Sequence, residues 1–208
     1  MTDDADRFAE AFDVSRETRD RLTRYADLLK KWNPAINLVS RTTLPHLWTR
    51  HFTDSAQLLE IADTPNGTWV DLGSGGGFPG MIVAILAGEK APALKVTCIE
   101  SDQRKATFLR TVARETGTDV TVLSERIESV QPLGAQVVSA RALAPLPELV
   151  GYANRHLAPE GCALFLKGTG QAQEIDQALA SWSFQIDTFP SRTDSGAAIL
   201  KLRSIRRV

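Results

Sequence analysis

Only two of the 208 residues are cysteine, Cys98 and Cys162. They form no C-x-x-C pair and have no cluster of further ligand residues beside them, which excludes a disulfide framework and argues against a metal site. Both fall in apolar runs that read as strands, so two buried, reduced thiols of a cytoplasmic protein are expected. Long apolar runs are also lacking: the longest, Met81 to Ala87, is far too short to cross a bilayer. The N-terminus carries Asp3, Asp4 and Asp6 in place of the basic, apolar signature of a secretory leader. Charge of one sign is not in excess, with 24 Lys and Arg against 25 Asp and Glu. That balance argues neither for nor against a nucleic-acid partner. There is no internal repeat, low-complexity tract or long linker. With 43% hydrophobic residues, the chain suits one soluble globular domain with a small appendage.

What is present is concentrated in one string, Asp71-Leu72-Gly73-Ser74-Gly75-Gly76-Gly77-Phe78-Pro79-Gly80. It follows the short strand Thr68-Trp69-Val70 and precedes the apolar helix Met81 to Ala87. A glycine-rich strand-to-helix turn lets a ligand approach the backbone closely. Two patterns fit. Gly75, Gly77 and Gly80 satisfy the dinucleotide fingerprint G-x-G-x-x-G. Asp71, Gly73, Gly75 and Gly77 satisfy acidic-x-G-x-G-x-G, the first motif of class I methyltransferases that use S-adenosylmethionine. Three details favour the second. Pro79 suits a helix-packing Gly80 only if it opens the helix. Four glycines in five positions clear more room than a pyrophosphate turn needs. Asp71 at a strand end would attract an ammonium and repel a diphosphate. Glu100, the last residue of the next strand, Leu94 to Glu100, is placed to accept ribose hydroxyls, a feature of both nicotinamide and methyltransferase sites.

Residues 4 to about 62 read as helical, with Ser15 as an N-cap and Leu22, Tyr25, Ala26, Leu28, Leu29 and Trp32 at helical spacing. Asn33-Pro34 is expected to end that helix, and a second helix to run from about Leu44 past His51 to Ile61. Asp63-Thr64-Pro65-Asn66-Gly67 is the turn into the first strand. Thereafter strands and helices alternate: helix 104–115, strand 120–123, strand 135–139, helix 146–156, strand 162–166 and helix 171–180. Two last strands, near 184–189 and 197–202, are too close in sequence for a crossover helix and should pair antiparallel at the sheet edge. The expectation is an α/β fold: a mostly parallel, Rossmann-like seven-stranded sheet with a final antiparallel hairpin (residues 65–208), preceded by a helical extension (1–64).

Further strings recur in a fixed order: Asn37-Leu38-Val39-Ser40, Arg50-His51-Phe52-Thr53-Asp54-Ser55, the glycine loop ending Phe78-Pro79-Gly80, Arg126-Ile127-Glu128, Ser139-Ala140-Arg141-Ala142 and Leu166-Lys167-Gly168. Together they make the chain resemble the glucose-inhibited division protein B family, ribosomal small-subunit methyltransferases, from about Leu22 to Leu202. The resemblance implies S-adenosylmethionine as cofactor and N7 of a guanine in 16S ribosomal RNA as acceptor. It implies that Gly73 and Phe78 lie by the methionine end, Ile127 and Glu128 beside the adenine, and Arg141 at the site's mouth. The sequence departs from the family at Gly76, where many members have Pro, and at Phe78, where many have Leu. The candidate cofactor set is Asp71, Gly73, Ser74, Gly75, Gly77, Phe78, Glu100, Ser101, Ile127, Glu128 and Arg141.

Guanine N7 has a free lone pair and loses no proton on attack, so no general base is needed. The fourth strand is followed by Ala140-Arg141-Ala142, not by the [DN]-P-P-[FY] of amine methyltransferases. Cys162 reads as a core thiol, not as the nucleophile that carbon methylation needs. No catalytic side chain is therefore assigned; Arg141 and Lys167 are the substrate-side candidates. Arg192, Lys201, Arg203, Arg206 and Arg207 read either as a further RNA-contacting patch or as a solvated C-terminus. His51, with Arg50 and Asp54 near it, reads equally as a helix-surface pair or as RNA-facing. Trp32 and Trp48 read as helix packing. A monomer acting on the small ribosomal subunit is the expectation; a small-molecule methyltransferase and a NAD-binding module are the alternatives.

Overall fold

A computed structural model describes residues 4–62 and 66–208. Seven strands form one sheet in the order β3-β2-β1-β4-β5-β7-β6: β1 (Asn66–Leu72), β2 (Ala93–Ile99), β3 (Val120–Leu123), β4 (Ala135–Arg141), β5 (Leu157–Lys167), β6 (Trp182–Pro190) and β7 (Ala198–Arg207). The first five are parallel, and β7 inserts antiparallel between β5 and β6. This is the expected topology. The chain reverses its direction of travel across the sheet between β1 and β4, which opens a crevice at the carboxyl ends of these strands. Trp69, Val70 and Leu72 of β1 are buried, as a central parallel strand covered on both faces requires.

Helices α4 (Gly80–Lys90) and α5 (Gln103–Thr116), with α3 (Asp54–Ala62), cover one face; α6 (Leu146–His156) and α7 (Gln171–Leu179) cover the other. The N-terminal helices α1 (Asp4–Ala11) and α2 (Arg16–Ile36) share a core with α4 and α5 through Phe8, Leu22, Tyr25, Leu29, Ile82 and Phe108. Ser15 does cap α2, its hydroxyl accepting from the Thr18 amide at 3.2 Å. Glu89 of α4 then accepts from Thr18 Oγ1 at 2.5 Å and from the Ser15 amide at 3.0 Å, which ties the cap to the domain.

Two helix boundaries differ from expectation. α2 passes through Pro34 and ends at Ile36, because cap chemistry carries its last turn. Asn37 turns left-handed (φ 48°) and its amide donates to the Asn33 carbonyl. The Asn33 side chain then accepts from the Leu38 and Val39 amides at 2.8 and 2.9 Å. The segment after Leu44 is not one helix. A 3-10 turn (Leu44–His46) leads into a wider π-helical turn (Trp48–Thr53) before α3. That turn buries both His51 and Phe52; such turns are frequent at functional sites. Of the expected turn 63–67, the first three residues lie outside the described ones, and Asn66 and Gly67 already belong to β1. Trp32 packs on Phe108, and Trp48 on Phe8 and Phe52, as expected of helix packing.

Tyr25 joins the helical extension to the glycine loop. Its ring stacks on Phe52 and Phe78 at 5.2 and 5.7 Å, and its hydroxyl donates to the Gly76 carbonyl. Burial pushes the phenol well above its ordinary pKa, so it remains a donor. Tyr25→Phe strands a buried carbonyl and should cost about 1–3 kcal/mol. Thermal unfolding should show a midpoint lower by about 2–4 °C for each kcal/mol.

Candidate active site

The glycine loop forms one wall of a cavity of about 420 Å³ at the carboxyl ends of β1, β2 and β4. Gly73, Ser74, Gly75, Phe78, Glu100, Ser101, Ile127, Glu128 and Arg141 all line it. Glu100 is buried, and its two oxygens accept from the Gly75 amide at 2.7 Å and the Asp102 amide at 2.8 Å. The carboxylate is thereby fixed with lone pairs to spare for hydroxyl donors. Asp102 caps α5, accepting from the Arg104 and Lys105 amides.

Gly77 and Asp71 are placed differently from the other candidates. Gly77 (φ +99°) does not line the cavity; a Cβ there would meet the Tyr25 hydroxyl, so this glycine serves packing beneath the loop. Asp71 is fully buried and also lines no part of the cavity. Instead of facing a ligand cation, its Oδ1 accepts from the Ser139 hydroxyl at 2.7 Å, and that hydroxyl accepts from Trp69 Nε1 at 2.8 Å. Pro79 stands at the entrance of α4, and Gly80 packs so closely that a Cβ would lie 2.6 Å from that of Asp71. Gly80 thus has the helix-packing role of the fingerprint's third glycine, and the Pro79 detail does not separate a dinucleotide from S-adenosylmethionine. Both cysteines are buried and free, and burial pushes both thiols up.

Leu38, Lys105, Leu143 and Tyr152 also line this cavity but were not among the sequence candidates. Leu38 carried a signal, since it lies in the Asn37-Leu38-Val39-Ser40 string. Tyr152 carried none: it is one position among many on an amphipathic helix. Its hydroxyl stands 2.7 Å from Glu128 and 2.6 Å from Glu148. Hydrogen bonding, first from its own amide and then from Tyr152, holds the Glu128 carboxyl below its ordinary pKa.

A second cavity, of about 470 Å³, adjoins the first and shares Leu38, Arg141 and Ala142 with it. Its other walls are Val39, Thr43, Arg50, His51, Asp54, Leu166, Lys167 and the loop joining β6 to β7. Asp54 and Arg50 pin that loop: Asp54 Oδ1 accepts from Ser191 and Thr193 at 2.9 and 3.1 Å, and Arg50 pairs with Asp194 at 2.7 Å. Lys167 pairs with Glu174 at 2.6 Å.

Arg141 stands where the two cavities meet. Its guanidinium donates to the Arg50 carbonyl at 3.1 Å and to His51 Nδ1 at 2.6 Å, and lies 4.9 Å above the Phe78 ring. The nearest carboxylate, Asp54, is 3.9 Å away. Ala142, next in sequence, is held at φ 50°, a conformation that costs a non-glycine residue about 1–3 kcal/mol and clusters at functional sites. His51 is buried, not part of a helix-surface pair, and it lines the second cavity. Burial, then Arg141 and Arg50, push its pKa from 6.5 down to about 3.

The basic residues of the C-terminal strand do not join this site. β7 runs antiparallel to β5, with Ala198 opposite Lys167 and Arg203 opposite Cys162, so it leads away from the carboxyl ends. Lys201 donates to the Ile61 carbonyl, Arg203 pairs with Asp187 at 2.6 Å, and Arg207 lies over Trp182. Arg206 sits opposite Ser183, farther still from the site. Arg192 is at the site end but is paired with Glu60 at 2.5 Å.

Residues 18–195 match the GidB family, described as rRNA small subunit methyltransferase G. Over 208 residues, covering 100% of both chains, the sequence is 53% identical to a ribosomal RNA small subunit methyltransferase G from Cereibacter sphaeroides. It is 53% identical over 196 residues to the protein of that name from a Ruegeria species, covering 94% of this chain and 95% of the other. Among solved structures, the fold is similar to a TehB-like SAM-dependent methyltransferase from Corynebacterium glutamicum (TM-score 0.58, 12% identity, 88% of this chain and 98% of that one). It is also similar to M. jannaschii TYW2 in complex with AdoMet (TM-score 0.54, 11% identity, 75% and 77%). At such low identity these two show the fold alone.

Burial raises the Asp71 pKa from 3.8 to about 6. A carboxyl raised in the folded state favours folding while protonated, and that contribution is lost as pH rises from about 4 through 6. In Asp71→Asn the side chain is neutral throughout and Oδ1 still accepts from Ser139. Urea unfolding at pH 4, 5, 6 and 7 should show the variant gaining on the parent by about 3 kcal/mol across this window, then levelling. Any constant offset from the new amide leaves that slope unchanged.

Proposed function

The chain belongs to the GidB family of rRNA small subunit methyltransferases G, and from that membership we propose that it transfers a methyl group from S-adenosylmethionine to N7 of a guanine in 16S ribosomal RNA. The observation that carries this reading is the pair of adjoining cavities with Arg141 between them, one suited to a nucleoside cofactor and the other open to an acceptor base.

The first cavity fits an adenosine. Glu100 offers fixed acceptors for ribose hydroxyls. Ile99, Ile127 and Leu143 offer apolar contact to a base, and the Gly75 position is open on its Cβ side. When bound, S-adenosylmethionine supplies an electrophilic methyl on a sulfonium. What remains for the protein is orientation and exclusion of water, which together are worth about 7–11 kcal/mol of a barrier. No side chain need take a proton; His51 is engaged on both nitrogens and Asp71 is fully buried. Arg141 and Lys167 bring positive charge to the acceptor cavity, suited to a phosphate or to the acceptor edge of guanine. Side chains cannot read the deep major groove of A-form RNA, so the guanine must enter from a loop or be flipped out.

We also propose a cytoplasmic monomer built from a helical extension, 1–64, on a methyltransferase unit, 65–208. Among the described residues only Leu179 and Val208 are exposed large hydrophobics, too little for an obligate interface. No helix of the described residues is long and apolar enough to cross a membrane.

The test is transfer of labelled methyl to small subunits from cells lacking this protein, followed by nucleoside analysis. Label in 7-methylguanosine at one position is expected; no label in free RNA, assembly intermediates or subunits would sink the assignment. Glu100→Gln should weaken S-adenosylmethionine binding about 10-fold or more by calorimetry, since hydrogen bonds to a charged acceptor are the stronger ones. Its KM for subunits should stay unchanged.

A further inference from the structure

His51 lies outside the proposed chemistry, yet it makes the shortest hydrogen bond to Arg141, 2.6 Å from its Nδ1. A guanidinium has five N–H donors and no acceptor, so Nδ1 must be the accepting nitrogen and carry no proton. The ring is neutral at physiological pH, so its single proton sits on Nε2. Nε2 is 2.9 Å from Thr43 Oγ1, which therefore accepts; the Thr43 hydroxyl in turn donates to the Ser40 carbonyl at 3.2 Å. The donors run in one direction, Arg141 to His51 to Thr43 to Ser40. The opposite tautomer would set an N–H against the guanidinium.

We propose that His51 is a positioning residue for methyl transfer: its bare Nδ1 holds the Arg141 guanidinium at the junction of the two cavities, and Thr43, accepting from Nε2–H, holds the ring in place. The inference rests on the reading of Arg141 as a substrate-side residue given above. Three further contacts favour a positioning role over plain core packing. The Arg50 carbonyl and the Phe78 ring grip the same guanidinium from other directions. The His51 ring itself packs on Phe78, with centroids 4.9 Å apart. The nearest counter-charge is Asp54, whose Oδ2 is 3.9 Å from Arg141 while its Oδ1 accepts from Ser191 and Thr193. Hydrogen-bond direction, more than charge pairing, fixes Arg141.

The test uses the full chain with S-adenosylmethionine and unmethylated small subunits, reading kcat, KM and cofactor Kd for each variant. His51→Leu removes the acceptor and should lower kcat about 10- to 100-fold, as a misplacement near 1 Å does. KM for subunits and cofactor Kd should change less than about 3-fold, because uniform binding is not what is lost. His51→Asn puts an amide oxygen near the place of Nδ1 and should recover most of that kcat. His51→Gln, with its oxygen one bond farther out, should not. Thr43→Val removes the acceptor for Nε2–H and should lower kcat, with Thr43→Ser restoring it. Equal losses in His51→Asn and His51→Leu, or full turnover in Thr43→Val, would overturn the proposal. Should His51→Leu fail to fold, the Thr43 pair decides alone. Arg141→Lys, run in parallel, separates the two readings. Full turnover there overturns the role given to Arg141, and a loss there without one in His51→Leu overturns only the inference about His51.

Discussion

The hydrogen bond from the Tyr25 hydroxyl to the Gly76 carbonyl is the constraint on which the rest of the site depends. A strand-to-helix turn with four glycines has almost no side chains of its own to hold it in one conformation. Its rigidity must come from outside. Tyr25 supplies it from below, and Glu100 from the side through the Gly75 amide. Because Tyr25 also stacks on Phe52 and Phe78, the same side chain sets the wide helical turn at 48–53. From that turn come the Arg50 carbonyl and the His51 ring that receive Arg141. The helical extension is thus a structural part of the cofactor loop.

Burial of charge shows the same economy. Arg141 and Asp71 both lie near the ends of central strands, and each has been taken out of water at a cost. Their solutions differ. Asp71 is enclosed, which raises its pKa, and is held by a relay from Trp69 through the Ser139 hydroxyl, which opposes that rise. Arg141 cannot discharge. It is met by neutral acceptors and a ring face, and it lines both cavities. The acid is sealed beneath the loop, whereas the cation stands at the junction of the two cavities.

Much of this was legible in the residues. The Asp71 to Gly80 string located the cofactor loop, the alternation of apolar strands and helices gave the sheet, and the short span between the last two strands gave the antiparallel hairpin. The Arg50 to Ser55 string announced importance without announcing its form. Nothing in its local pattern says that the turn widens or that His51 is buried, because both follow from packing against Tyr25 and Phe78, 26 and 27 residues away in opposite directions along the chain. Pro34 was misleading for a related reason. Its local penalty was real, but the Asn33 side chain and the left-handed Asn37 completed the turn in spite of it.

The sequence by itself determined the order of elements, the family and the glycine loop, since these depend on periodicity and on residue types at near neighbours. The tertiary structure alone decided which charges matter. It set β7 beside β5 in a register that carries Arg203, Arg206 and Arg207 away from the crevice. It sealed Asp71 and placed Arg141 between two cavities. A charge acts through its distance to other groups and the dielectric around it. Both are set by contacts between residues far apart in the chain, which no local pattern encodes.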